Sequence, residues 1–292
     1  MFIELSPWLV IPLLVFTLGF IAAWGITESV STAAVFTLME VIGLLIIVFI
    51  AFPYEPPEAA AASMTAAASG QEFDAAGILA GAFLAFYAYV GFEDMVNVAE
   101  ETRNAERNLP IAILASLALA TLLYMLVSAA SLRVLTPSEL GQTDAPLATV
   151  FETVTGQPPV LISLISLVAV VNGALIQIIM ASRVLYGLCK QGWLWQPLGH
   201  VNTRTQTPVN ATILVGVIIL VAALWLPIET LASITTYLLL SLFCLVNLAL
   251  LRVKRRPGEP QPRFRVPIAV PALGFLSCLG FLVARTALVL AA

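Results

Sequence analysis

The sequence predicts an all-α membrane protein with about eight transmembrane helices. Of its 292 residues, 60% are hydrophobic and only 10% are charged, whereas a soluble domain is about 45–50% apolar and about 25% charged. Stretches of about 20 apolar residues, the length that crosses a bilayer as a helix, recur along the chain. This composition excludes a soluble globular enzyme and a disordered chain, and the net charge of −4 gives no general affinity for nucleic acid.

The eight spans follow one another with short connections, so residues 1–292 are predicted to form a single transmembrane domain. The predicted spans are 8–25, 31–53, 75–98, 109–134, 159–189, 208–226, 229–251 and 267–289. Segment 54–74, which contains a run rich in Ala, Pro and Ser, is predicted to be a loose external linker. The connections leave no room for a separate catalytic module.

The basic residues give the direction of the spans, because Lys and Arg near span ends stay on the cytoplasmic side. Eleven of the 13 basic residues fall within or beside the connections after spans three, five and seven. The opposite connections are acidic. Eight spans with this orientation place both chain ends outside the cytoplasm, which is unusual, so we expect further helices to precede residue 1 in a complete protein.

Polar residues concentrate in the second half of the third span, where they are costly to bury and suggest a functional site. Gly91 weakens the helix there. A break at membrane depth would free backbone groups beside a water-filled cavity. Beyond it, Glu93, Asn97, Glu100 and Asn104 recur at steps of three and four residues and are predicted to share one helix face. The alternative is that Gly91 is a close-packing position and that the acids lie in the cytoplasmic vestibule.

Glu93 and Glu100 are candidates for carrying a proton or gating the protein, and two further charged residues, Glu40 and Arg183, are candidates for the same roles. Glu40 lies ten residues into the second span, where a lone carboxyl is expected to be protonated, paired or facing water. It carries a proton or gates the protein, or it makes a structural hydrogen bond between helices or lies nearer the lipid headgroups. Arg183 lies near the end of the fifth span and is a candidate to pair with Glu100 or Glu101 as a gate.

Nothing in the chain resembles an enzyme active site. No nucleophile–base pair, zinc cluster or phosphate-binding loop is recognisable. The three cysteines, Cys189, Cys244 and Cys278, have neither metal-type spacing nor the pattern of a disulfide framework. His200 is the single histidine. We therefore expect no enzyme activity, no metal and no cofactor.

The polar part of the third span resembles a segment of the amino acid–polyamine–organocation permeases. Tyr-Val-Gly-Phe-Glu-Asp at 89–94, the Glu-Glu pair within 99–104 and Arg-Asn-Leu-Pro at 107–110 are similar to that family's sixth span and following loop. Ala105 stands in the place of the family's usual proline. Two further matches occur in the expected order. Residues 182–208 resemble the end of the eighth span and the entry to the ninth, and residues 36–43 resemble part of the fifth.

This resemblance implies that the eight spans correspond to the family's fourth through eleventh, within a five-plus-five inverted-repeat fold whose first and sixth spans are broken around the substrate. It implies that backbone carbonyls of Tyr87, Ala88 and Val90, with Gly91 at the break, hold the substrate's amino group. The family holds the carboxylate at a break in its first span, which has no counterpart in residues 1–292. Many proton-coupled members carry a lysine near the place of Glu40, so the lysine mechanism does not carry over.

The function implied is secondary active transport of an amino acid or related amine by alternating access, with protons as the expected coupling ion. The partners are then the small-molecule substrate and the lipid bilayer, and the expected location is the plasma membrane of a bacterium. The sequence does not define an oligomeric state. One alternative is a non-transporting subunit or remnant that requires partner helices. A membrane-embedded enzyme is the other, and the presence of only one histidine argues against it.

Overall fold

A computed structural model describes residues 6–24, 30–69, 74–256 and 264–291. Within these ranges every regular element is a helix. The α-helices are α1 (Pro7–Trp24), α2 (Val30–Ala51), α3 (Glu58–Ser69), α4 (Ala75–Tyr87), α5 (Ala105–Val134), α6 (Pro137–Gln142), α7 (Pro146–Thr155), α8 (Val160–Lys190), α9 (Val209–Trp225), α10 (Ile228–Lys254) and α11 (Ala269–Ala291). Two 3₁₀ helices cover Phe92–Glu101 and Gln196–Gly199.

The chain divides into two compact units. The first unit comprises Met1–Gln71 and Leu122–Trp225, and the second comprises Glu72–Thr121 and Leu226–Ala292. Helix α5 begins in the second unit and ends in the first.

The first unit is organised around the long helix α8, which packs against α1, α2, α7 and α9. One apolar cluster joins the end of α2 to the end of α5, with Ile47 and Val134 almost fully buried. A second cluster joins α1, α8 and α9 through Leu18, Ile178 and Val215. The buried positions lie on helices that are apolar over most of their circumference, as expected for spans that face both protein and lipid.

The second unit packs α4 against α10 and α11, which also pack against each other. Phe83 of α4 is fully buried at this junction. Its ring centroid lies 4.8 Å from that of Tyr237 on α10, and the guanidinium carbon of Arg285 on α11 lies 5.7 Å from it. This arrangement fixes the end of α4 that leads into the polar part of the third predicted span.

The protein is a multi-pass membrane protein. Six stretches of the described chain are long and apolar enough to cross a membrane, judged by length and composition. They are Pro7–Trp24, Ala75–Asn97, Ala105–Val134, Val160–Lys190, Ile228–Lys254 and Ala269–Leu290. Two shorter apolar helices, Val35–Ala51 and Val209–Trp225, occupy the second and sixth predicted spans.

One segment differs from its prediction. The external linker predicted at 54–74 contains α3, a helix of 12 residues, so this part of the chain is not wholly loose. Seven of those residues are alanine, and alanine has the highest intrinsic helix propensity of all residues. The composition that was interpreted as a linker therefore favours a surface helix.

Candidate functional site

The third predicted span is interrupted at its middle. Helix α4 ends at Tyr87, residues 88–91 form a turn, and a 3₁₀ helix then runs over Phe92–Glu101. Runs of 3₁₀ helix longer than three or four residues are uncommon, and such a stretch within a helix often marks a hinge. The predicted break is therefore present, and the chain continues beyond it in a more tightly wound form.

Gly91 makes the break possible through its backbone conformation. Its φ angle is +124°, a value that residues with a Cβ rarely adopt. A Cβ added at Gly91 would meet no described atom within 4 Å. The close-packing interpretation of Gly91 is therefore wrong, because space is available and only the backbone angle requires glycine.

The backbone groups of this turn are unequally satisfied. The N–H of Ala88 bonds back to α4, that of Tyr89 donates to the Phe86 carbonyl over 3.1 Å, and that of Val90 donates to the Tyr87 carbonyl over 3.1 Å. Among the described residues, no donor is bonded to the Val90 carbonyl. Val90 is half-buried, and backbone carbonyls removed from water are nearly always paired, so this oxygen can accept a hydrogen bond from a ligand.

The side chain of Glu93 stabilises the turn at the break through a hydrogen bond. Its carboxylate oxygen Oε2 accepts a hydrogen bond of 2.8 Å from the Gly91 N–H. Glu93 and Asp94 also place two acids in the first turn of the 3₁₀ helix, where negative charge is favoured by the helix dipole. The sequence predicted a proton or gating role for Glu93, and the structure adds a local contact that caps the helix after the break.

The shared helix face predicted for Glu93, Asn97, Glu100 and Asn104 is wrong. That prediction assumed 3.6 residues per turn, whereas this segment has the 3.0 residues per turn of a 3₁₀ helix. Positions four apart are then rotated away from each other, and Asn97 instead donates to Asp94 at i−3 over 3.4 Å. Asn104 lies beyond the helix end, with a φ of +50°.

Two neighbouring helices hold the break in place. Phe243 of α10 lies between the rings on either side, with centroid distances of 6.0 Å to Phe86 and 5.6 Å to Phe92. The Tyr89 hydroxyl donates to the Thr121 hydroxyl of α5 over 3.1 Å. Sequence reasoning missed Phe243 and Thr121, because each lies on another span and its sequence neighbours carry no polar signal.

Replacing Phe243 with alanine is expected to loosen the break. Each aromatic pair contributes about 0.5–1.5 kcal/mol beyond its buried area, and the substitution removes two pairs. Hydrogen–deuterium exchange of the wild-type protein and the variant measures this directly, and we expect the amides of residues 88–92 to exchange about tenfold faster in Phe243→Ala. Leu245→Ala, at a 64% exposed position on the same helix, is the matched control. Equal exchange in all three proteins would contradict the bracing role.

Two of the remaining candidates lie on other helices. Glu40 is half-buried on α2 and Arg183 is exposed on α8, and both helices belong to the first unit. The side chain of Glu100 lies outside the described residues, and so does its proposed pairing with Arg183. The structure therefore brings together Tyr87, Ala88, Val90, Gly91 and Glu93.

The first unit contains an apolar cavity of about 640 Å³ between α1 and α9. Phe16, Phe20, Ile213 and Val217 are among the residues that line it. The residues described in its lining include no charged one, so they offer no charged partner for an ammonium or a carboxylate. The interrupted span is the better candidate for binding a charged small molecule.

An interrupted span among apolar helices is typical of secondary transporters, a class of membrane protein in which broken helices bind a small solute. The sequence model of one family, described as amino acid permease, matches residues 4–291. The chain belongs to the amino acid permease family.

Several relatives with assigned names are similar to this chain. The vacuolar cationic amino acid transporter 2 of Arabidopsis thaliana is 28% identical over 251 residues, which are 86% of this chain and 39% of the relative. The branched-chain amino acid permease BcaP of Bacillus subtilis is 26% identical over 274 residues, 91% of this chain and 56% of the relative. The methylthioribose transporter of the same species is 26% identical over 266 residues, with shares of 90% and 56%. The chain thus spans about half the length of these relatives, or less.

Proposed function

We propose that this chain is the part of a secondary active transporter that binds the amino group of an amino acid or a related amine. The observation that carries the proposal is the break at Gly91, which leaves the Val90 carbonyl without a described donor. Tyr87, Ala88 and Val90 would supply carbonyl oxygens, and Gly91 the backbone angle that exposes them. The names of the relatives, two of which specify amino acids, support this class of substrate.

The charges around the break favour a cationic group over an anion. The N–H groups of residues 88–91 already donate hydrogen bonds to acceptors within the protein. They are therefore not available to donate to a bound anion. Two acidic residues, Glu93 and Asp94, follow immediately. A primary ammonium has three donors and no acceptor, which matches carbonyl oxygens beside carboxylates.

Alternating access requires that the two halves of the interrupted span change their relative orientation. A turn of four residues between α4 and the 3₁₀ helix is a place where backbone angles can absorb such a change. Binding of an ammonium at the Val90 carbonyl would favour the conformation in which that oxygen is exposed. We propose that this local change is the first step of alternating access. It would take place within the five-plus-five fold that the resemblance implies, and the proposed location is the plasma membrane of a bacterium.

Uptake into proteoliposomes tests the proposed function. The protein purified from its native membrane is reconstituted and supplied with a pool of the standard amino acids and common polyamines, and mass spectrometry identifies what accumulates. We expect saturable accumulation of one class of amine-bearing solute. Intact helical content without accumulation would instead favour a non-transporting subunit that works with partner helices.

Proton coupling is proposed to involve Glu40. A half-buried carboxylate on an apolar helix can take up and release a proton as its surroundings change. Replacing Glu40 with glutamine removes the titrating group and keeps its size, so we expect the pH dependence of uptake to flatten. Uptake is measured between about pH 5 and about pH 8, the range in which folded proteins are generally most stable. An unchanged pH profile would assign Glu40 to helix packing.

Glu139 provides the matched control for Glu40. It lies in the capping box of α6, where the backbone N–H and hydroxyl of Thr136 hold the pKa of the Glu139 carboxyl below its ordinary value. The stabilisation is therefore present above the ordinary pKa and is lost only as the pH falls through the lowered one. Glu139 stays charged throughout the assay, so Glu139→Gln is expected to leave the pH profile of uptake unchanged.

The gating groups are proposed to be Glu93, Glu100 and Arg183. The hydrogen bond from the Gly91 N–H to Glu93 supports a gating role for Glu93. Movement of this carboxylate would remove that bond and allow the turn at Gly91 to change its conformation. Arg183 and Glu100 remain predictions from the sequence.

A further inference from the structure

Helices α10 and α11 approach each other closely in the second unit. A Cβ added at Gly274 of α11 would lie 2.7 Å from the Asn247 side-chain oxygen of α10. Small residues at such positions let the backbones of two membrane helices come together. One turn earlier on α10, the Cys244 thiol lies 3.9 Å from the Phe275 carbonyl, to which it donates. Later residues of α10 thus face earlier residues of α11, which is an antiparallel register.

This register places two thiols against each other. Cys278 lies three residues after Phe275, so both face the same side of α11. Cys244 donates to the Phe275 carbonyl, and Asn247, three residues later on α10, faces Gly274, four residues before Cys278 on α11. In an antiparallel pair this register sets Cys244 beside Cys278. Cys244 is buried and Cys278 is half-buried. Both are free thiols.

We propose that Cys244 and Cys278 form an oxidisable dithiol that closes a disulfide between α10 and α11. A disulfide requires Cα atoms about 4.4–6.8 Å apart, and the close approach of α10 and α11 beside Gly274 and Phe275 favours such a spacing. In the reaction the two S–H groups lose two protons and two electrons and an S–S bond forms. Dioxygen accepts both protons and both electrons and becomes hydrogen peroxide.

The bond would restrain the part of α10 that braces the break. Cys244 directly follows Phe243, the residue that contacts Phe86 and Phe92. Joining Cys244 to α11 holds this turn of α10 at a fixed distance from α11, whereas the reduced form leaves it free to shift. The thiol pair thus links the redox conditions around the protein to the contacts that Phe243 makes with the interrupted span.

Thiol counting after mild oxidation tests the proposal without any measurement of transport. The full chain in lipid vesicles is exposed to air with copper(II)–phenanthroline, which catalyses transfer of thiol electrons to dioxygen. It is then denatured in detergent, alkylated with N-ethylmaleimide and weighed by mass spectrometry. Of its three cysteines, we expect only Cys189 to be alkylated after oxidation, and all three after treatment with a reductant.

Two variants identify the pair. In Cys189→Ser, oxidation is expected to leave no thiol for alkylation, because the remaining two join each other. In Cys278→Ser, both remaining thiols are expected to stay reactive, because Cys244 has lost its partner. Peptide mapping of the wild type should find a bond between α10 and α11. Three alkylated thiols in the oxidised wild type, or a bond that includes Cys189, would overturn the proposal.

Discussion

Replacing Gly91 with alanine is expected to weaken substrate binding by about tenfold to 100-fold. The Gly91 φ of +124° is a conformation that costs a residue with a Cβ about 1–3 kcal/mol, and about 1.4 kcal/mol corresponds to a factor of ten in affinity. The variant relieves this strain by changing the turn, and the Val90 carbonyl then points elsewhere. Binding is measured by equilibrium dialysis against the pooled amino acids and polyamines, with mass spectrometry of the retained solute.

Gly81→Ala is the matched control for this substitution. Gly81 lies within α4, and a Cβ there would also meet no described atom within 4 Å. Its backbone is helical, so alanine is favoured over glycine by about 1 kcal/mol and binding should be unchanged. If Gly91→Ala bound the substrate as tightly as Gly81→Ala and the wild type do, the backbone angle at Gly91 would have no role in binding.

Changes at Glu93 are expected to have graded effects. Leucine removes the acceptor of the Gly91 N–H, a hydrogen bond to a charged group that contributes about 1.5–3 kcal/mol, so binding should fall at least about tenfold. Glutamine retains an acceptor oxygen, and a neutral hydrogen bond is roughly half as strong as a charged one. We therefore expect Glu93→Gln to bind about threefold to fivefold more weakly than the wild type.

The two Glu93 variants separate the capping contact from a charge effect. A role limited to capping leaves Glu93→Gln with a clearly higher affinity than Glu93→Leu, because glutamine still accepts a hydrogen bond from the Gly91 N–H. Affinity as low in Glu93→Gln as in Glu93→Leu, together with a lost pH dependence, would show that the carboxylate charge itself binds or carries a proton.

The break could be predicted from the sequence because its cause is local. A glycine followed by two acids within an otherwise apolar span is readable without any tertiary information, and Gly91, Glu93 and Asp94 provide it. The helix positions were likewise readable from apolar stretches, since a membrane span needs a continuous apolar run.

The form of the chain after the break could not be read from the sequence. Residues spaced by three and four fit an α-helix, and the choice of a 3₁₀ helix over Phe92–Glu101 depends on packing that the sequence pattern does not encode. Phe243 is one of many apolar residues in its span, and only its position between Phe86 and Phe92 distinguishes it. The placement of Cys244 beside Cys278 similarly depends on the register of two helices.

Helix α3 shows the opposite case, in which a compositional rule was applied too broadly. A run of Ala and Ser was interpreted as a linker because neighbouring prolines suggested loose structure. The prolines in fact precede the helix, which begins at Glu58, and an acid in the first turn favours helix formation. Local helix propensity therefore determined the structure of this segment.

Hydrogen–deuterium exchange with added solutes tests most directly whether the interrupted span holds an amino group. The chain in lipid vesicles is compared without ligand, with the pooled amino acids and polyamines, and with the matching acids that lack the amino group. A site at the Val90 carbonyl predicts slower exchange at residues 88–92 with the first pool and no change with the second. Equal protection by both pools, or protection confined to other helices, would contradict the assignment of this break as the amine-binding site.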